Sequence, residues 1–162
     1  MKIIIVENEP LPLAGLINFV RSCGYSDITG FSNVSAAKEG LCGIEEPFVV
    51  LLDHDLGEGV DDGYVLCEWL RVAHPLGHIL PIVYLTGRLP PDKYISNQLA
   101  RPFAGPTVYV AKTDAERQVG ELLEVFHRQF DEVRRAIDDQ AARRALATLA
   151  SVNFAEDEEE GK

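Results

Sequence analysis

The run Phe48-Val49-Val50-Leu51-Leu52-Asp53 places five apolar side chains in a row and ends them on a carboxylate. A short apolar run without alternation predicts a strand covered on both faces, the situation of a central strand in a parallel sheet. The rest of the chain repeats that grammar. Lys2–Val6, Asp27–Phe31, Pro81–Thr86 and Thr107–Ala111 read as four more short strands. Helical patterns lie between them. Pro10 to Cys23 carries its prolines in the first turn, where a missing N–H costs nothing, and Gly24 ends it. Ser32 or Asn33 can cap a helix running to about Cys42. Gly63–Ala73 turns Val65, Leu66, Trp69 and Leu70 inward. The stretch from Pro90 to Ala104 is ambiguous, with one weak helix around residues 92–100. Thr113 can cap a long final helix. Strand–helix alternation predicts an α/β, doubly wound parallel sheet with right-handed crossovers.

Such sheets bind ligands at the carboxyl ends of their strands, at a switch point in strand order. The first strand ends in Glu7-Asn8-Glu9, the third in Asp53-His54-Asp55, the fourth in Thr86-Gly87 and the fifth in Lys112. If those strands are neighbours, the groups converge. Carboxylates with an amide oxygen can hold a hard divalent cation, Mg²⁺ above all. A hydroxyl and an ammonium can grip phosphoryl oxygens. A carboxylate is itself a nucleophile that can carry a phosphoryl group.

Four segments carry a specific resemblance. Ile3-Ile4-Ile5-Val6-Glu7-Asn8-Glu9-Pro10, Leu51-Leu52-Asp53-His54-Asp55-Leu56, Pro81-Ile82-Val83-Tyr84-Leu85-Thr86-Gly87 and Tyr109-Val110-Ala111-Lys112 follow in the order and spacing of response-regulator receiver domains. Over residues 1–128 the chain resembles that family, which implies a flavodoxin-like, five-stranded sheet of order 2-1-3-4-5. The resemblance makes Asp53 the phosphoacceptor. It makes Glu7, Asn8, Asp53 and the backbone carbonyl of Asp55 the Mg²⁺ ligands, and Thr86, Lys112 and Tyr109 the phosphate-binding and switch residues. It also implies a sensor histidine kinase or histidine phosphotransfer protein as donor, and an effector protein as target. Activity would be that of a phosphoacceptor signalling domain, with at most slow autophosphorylation and autodephosphorylation rather than enzymatic turnover.

Three departures from the family pattern stand out. Asn8 replaces the usual aspartate, so Glu7 and Asp53 alone give the site two negative charges instead of three, which predicts weaker Mg²⁺ binding. The stretch from Asp53 to Gly63 is longer than usual and contains Glu58, Asp61 and Asp62, one of which could approach the metal. Thr113 stands where the family has a proline after the lysine, so a trans bond is expected. Two alternatives follow. The first is a degenerate receiver acting as an unphosphorylated binding module. The more distant one is a haloacid-dehalogenase-like phosphohydrolase, suggested by Asp53-His54-Asp55 but lacking a later acidic strand motif. Among the histidines, His54 reads as an exposed loop residue beside the acceptor, His74 and His78 as loop residues, and His127 as an unphosphorylated helix residue.

Beyond residue 128 the apolar stripe continues through Phe130, Val133, Ile137, Ala141, Ala145 and Leu149. A straight helix from Asp114 to Ala150 would span ~55 Å at 1.5 Å per residue. Residues 129–151 therefore read as a helical extension, with Phe130, Val133 and Ile137 as dimer or partner contacts. A homodimer is the first expectation, a fold-back the second and a docking helix the third. Residues 152–162 form an acidic tail that reads as disordered. The net charge of −11 argues against a nucleic-acid partner. After Lys112 only seven Lys or Arg face thirteen Asp or Glu, so output by protein–protein contact is expected. No apolar run reaches the ~20 residues of a membrane span. The absence of a signal-like start and the scattered Cys23, Cys42 and Cys67, read as buried thiols, point to a cytoplasmic protein.

Overall fold

The computed structural model describes residues 1–57, 63–87, 107–130, 132 and 135. In chain order these form β1 (Lys2–Val6), α1 (Pro10–Ser22), β2 (Ile28–Phe31), α2 (Val34–Leu41), β3 (Phe48–Asp53), α3 (Gly63–Ala73), β4 (Ile82–Thr86) and β5 (Thr107–Ala111). A single 3-10 turn over Lys112–Asp114 then leads into a helix over residues 115–130, here α4. All strand pairings are parallel, and the sheet order is β2-β1-β3-β4-β5. Packing divides the chain into Met1–His127, which holds the sheet, and Arg128–Lys162.

The apolar run at the centre behaves as its composition predicts. All six residues of β3 are buried, between β1 on one side and β4 on the other. Alternate residues feed two faces of the sheet. Ile4, Val6, Val50, Leu52, Ile82 and Tyr84 join one cluster with Val34, Ala37 and Leu41 of α2 and Leu66, Cys67 and Leu70 of α3. Burying side chains of this size stabilises the fold by ~1.5–3 kcal/mol each relative to leaving them exposed. Helix boundaries follow local chemistry. Asn33 caps α2 by accepting from the Ala36 N–H at 2.8 Å, while Pro10 opens α1 at its first position. Gly24, at φ 92°, supplies the left-handed residue past the end of α1 and donates its N–H to Arg21 O.

Three expectations are corrected. Thr113 lies inside the 3-10 turn and makes no capping bond; the turn starts directly from Ala111, so the backbone enters α4 without needing a side-chain cap. Cys23 and Cys42 are exposed, because each sits just past a helix end instead of on its inner face, and only Cys67 is a buried thiol. His74 is a loop residue as expected, in a bend just past α3, and it is only 6% exposed. Its ring packs edge-on against Phe48 and Trp69, Nδ1 accepts from the Leu76 N–H, and burial holds its pKa below the usual histidine value. His54 is half-buried, with its ring edge-on to Tyr84. No described peptide bond is cis, as expected with Thr113 in place of proline.

Arg71, which sequence reading passed over, is a half-buried cation on α3. It donates to Gly77 O, to Leu80 O at 2.7 Å and to Thr107 Oγ1 at 2.9 Å, tying the end of α3 to the turn before β4 and to the first residue of β5. In the second unit, Phe130 is half-buried and residues 132 and 135 are helical and exposed. Val133, Ile137 and the acidic tail lie outside the described residues, as do Glu58, Asp61, Asp62 and the 92–100 stretch. Among the described residues no helix is long and apolar enough to cross a membrane.

Candidate functional site

Strand register decides what meets at the carboxyl edge. Val6 pairs with Leu52, Asp53 with Leu85, and Thr86 with Ala111. The residues that leave those strands therefore emerge side by side: Glu7 after β1, Asp53 at the end of β3, Thr86 at the end of β4 and Lys112 after β5. Glu7, Asp53 and Thr86 are 1%, 3% and 5% exposed.

Lys112 reaches back over the sheet edge from the 3-10 turn. Its ammonium lies 2.9 Å from Asp53 Oδ2 and 3.1 Å from Glu7 Oε2. One cation thus bridges two buried carboxylates. Burial pulls the Lys112 pKa down, but the bonds to Asp53 and Glu7 outweigh it and leave the ammonium above its usual range. For Glu7 the balance runs the other way. Burial pushes its carboxyl up and the neighbouring Asp53 charge adds to this, while the Glu9 N–H and Lys112 pull it down; the net shift is upward. The site holds more negative charge than Lys112 alone can balance.

The backbone around Asp53 is tightly specified. The Asp55 N–H donates to Asp53 Oδ1 at 3.4 Å, and the His54 N–H to Leu85 O at 3.0 Å. Gly63 N–H donates to His54 O at 3.2 Å, so α3 begins directly against the end of β3. A Cβ at Gly63 would stand 2.2 Å from Asp53 O. Asn8 lies beside this group with Oδ1 buried and without a hydrogen-bond partner among the described residues. An orphan amide oxygen next to two buried carboxylates is the donor set of a hard cation. The residues fit Mg²⁺, which Glu7, Asn8, Asp53 and the Asp55 carbonyl would hold.

Tyr109 has one face of its ring stacked on Tyr84 of β4, and burial pushes its pKa up to about 12. The structure thus brings Glu7, Asp53 and Lys112 into contact and sets Asn8, Asp55 and Thr86 around them. Phe130 belongs to the second unit and not to this site. Sequence reading missed Tyr84. Its signal was an aromatic two residues before Thr86 in an otherwise aliphatic strand.

Solved structures share this architecture. The chain resembles the N-terminal domain of a response regulator/sensory box/GGDEF three-domain protein from Carboxydothermus hydrogenoformans, at 25% identity over 82% of this chain and 98% of that one, with a TM-score of 0.63. The fold is that of the CheY-like receiver domain. A receiver domain of a sensor histidine kinase from Pseudomonas aeruginosa PAO1, with a magnesium ion coordinated in its active site cleft, matches at 24% identity over 76% and 93% of the two chains (TM-score 0.60). A CheY-like receiver domain from Methanospirillum hungatei JF-1 matches at 23% identity over 83% and 97% (TM-score 0.59). No protein-family model matches the sequence. No curated protein matches it in sequence. The receiver likeness is thus carried by the backbone fold more than by sequence identity.

Proposed function

We propose that this receiver domain accepts a phosphoryl group on Asp53 from a phosphohistidine donor and signals through protein–protein contacts. The observation that carries the reading is the Lys112 ammonium, held 2.9 Å from Asp53 and 3.1 Å from Glu7 at the carboxyl edge of the sheet. Asp53 is the nucleophile. Lys112 is placed to take up charge on a transferred phosphoryl oxygen, and the Thr86 hydroxyl stands one strand away as a second donor. Catalysis of this kind is positioning and charge neutralisation. Bound Mg²⁺ would supply further neutralisation of phosphoryl charge. Tyr109 responds on the face formed by β5 and its neighbours. Residues 1–128 are the receiver, and the extension with Phe130, Val133 and Ile137 serves a second copy or a partner.

Incubating the protein with acetyl phosphate and Mg²⁺ tests this by intact mass. One added phosphate on wild type and none on Asp53→Asn is the expected pair of results; equal adducts on both would remove Asp53 from the role. Asn8 adds a metal-specific expectation. It offers an oxygen but no charge, so Asn8→Asp should bind Mg²⁺ more tightly than wild type, read from amide shifts of Asp53 and Asp55 during a magnesium titration. Equal affinities would show that the missing charge is made up elsewhere.

A further inference from the structure

Tyr84 joins two parts of the domain that the acceptor chemistry leaves separate. It is 1% exposed. Parallel pairing puts it directly opposite Tyr109, and the two rings stack within 5° of parallel with centroids 4.9 Å apart. Aromatic contacts at this distance are specific interactions that add to area burial. Two further contacts of Tyr84 lead toward the acceptor. Its hydroxyl donates to Gly63 O at 3.3 Å, and the His54 ring meets it edge-on at 5.9 Å. Gly63 and His54 are themselves bonded to each other, and both touch Asp53, one through space too small for a Cβ and the other as its chain neighbour.

We infer that Tyr84 is a positioning residue that couples the backbone on either side of Asp53 to the ring of Tyr109. Any shift of Gly63 relative to His54 changes the hydroxyl bond and the edge contact of this buried ring. Tyr109 lies flat on that ring, so its resting place follows. This path runs through the start of α3, where Gly63 meets His54. The inference deepens the acceptor reading: a phosphoryl group on Asp53 would act on Tyr109 through Tyr84.

The test uses ring signals of Tyr109 in full-length protein labelled at tyrosine and assigned by Tyr109→Phe. In wild type, acetyl phosphate with Mg²⁺ is expected to move them. In Tyr84→Leu that response is expected to be lost, and in Tyr84→Phe, which keeps the stack and loses only the donor, to be diminished, while the phosphate adduct by mass stays at the wild-type level in both. An undiminished Tyr109 response in both variants would overturn the coupling. A second arm needs no phosphate. His54→Ala is expected to move the Tyr109 ring signals in the wild-type background and to leave them in place in Tyr84→Leu. Equal movement in both backgrounds would also overturn it. Lack of any adduct on wild type would remove the acceptor reading, and this second arm would still decide the coupling. Amide signals of β1 report whether each variant keeps its fold.

Discussion

Replacing Lys112 with methionine is expected to slow phosphoryl uptake from acetyl phosphate by about a hundredfold or more, the usual consequence of removing one donor aimed at developing negative charge. It is also expected to destabilise the magnesium-free domain. Lys112→Met leaves Glu7 and Asp53 buried and facing each other without their shared cation. Breaking a fully buried pair costs about 3–5 kcal/mol. The Lys112 side chain is 41% exposed, so solvent screening reduces the loss to about 1–2 kcal/mol.

The pH dependence of that loss has a defined sign. Glu7 already has a raised pKa in the folded state, from burial first and Asp53 second. A carboxylate of this kind takes up protons more readily folded than unfolded, so stability falls as pH rises from about 4.5, the unfolded value, through the raised one. Lys112 is one of the groups that limits the rise. Without it the fall should be steeper and extend to higher pH. Urea unfolding of both proteins from pH 4 to pH 8, in magnesium-free buffer, would show the difference growing with pH. A constant offset would mean that Lys112 acts through packing and not through Glu7.

The second large effect is expected at the two ends of α3. A Cβ at Gly77 would lie 1.8 Å from Leu70 O, and one at Gly63 would lie 2.2 Å from Asp53 O. The opposing atoms are backbone in both cases, so no side chain can swing away. Relief requires α3 to withdraw from β3, or the turn after it to break its bonds with Arg71. Overpacking of this sort costs about 1–3 kcal/mol, and both sites belong at the upper end. A loss of about 3 kcal/mol should lower the Tm of each alanine variant by about 10 °C. Gly40→Ala makes the control. Its Cβ would meet the far end of the Phe31 ring at 2.5 Å, and a ring tip at the surface of β2 can move. A Gly63→Ala or Gly77→Ala protein as stable as Gly40→Ala would show that the backbone yields more easily than its contacts imply.

How much of this was legible in the residues depends on the range of the interaction. The strands β1, β3 and β5 and the helix α3 have the bounds that their apolar runs and punctuation imply, because those signals are local: a continuous run for β3, a glycine at the head of α3. Asn33 was legible, for the same reason, as one of two candidate caps with Ser32. The convergence of Glu7, Asp53 and Lys112 could be anticipated only by assuming a strand order, and the structure supplies that order. Features set by tertiary packing were not legible. Whether His74 faces solvent depends on Phe48 and Trp69 closing over it. Arg71 appears in sequence as an ordinary charge at the end of a helix, and the acceptors Gly77 O, Leu80 O and Thr107 Oγ1 come from a turn and a strand far along the chain. Thr113 carries the residue type of a cap, but the 3-10 turn begins before it. Tyr84 and Tyr109 become partners only through the β4–β5 register.

The most direct measurement of the central claim is the position of the phosphoryl group. An acyl phosphate is reduced by borohydride, which converts the aspartate that carries it to homoserine. Treating the acetyl-phosphate-labelled protein in this way and sequencing its peptides by mass spectrometry should find homoserine at residue 53 and at no other position. Reduction at Asp55 or Glu7 with residue 53 intact, or an unreduced protein after the donor has been consumed, would contradict the account.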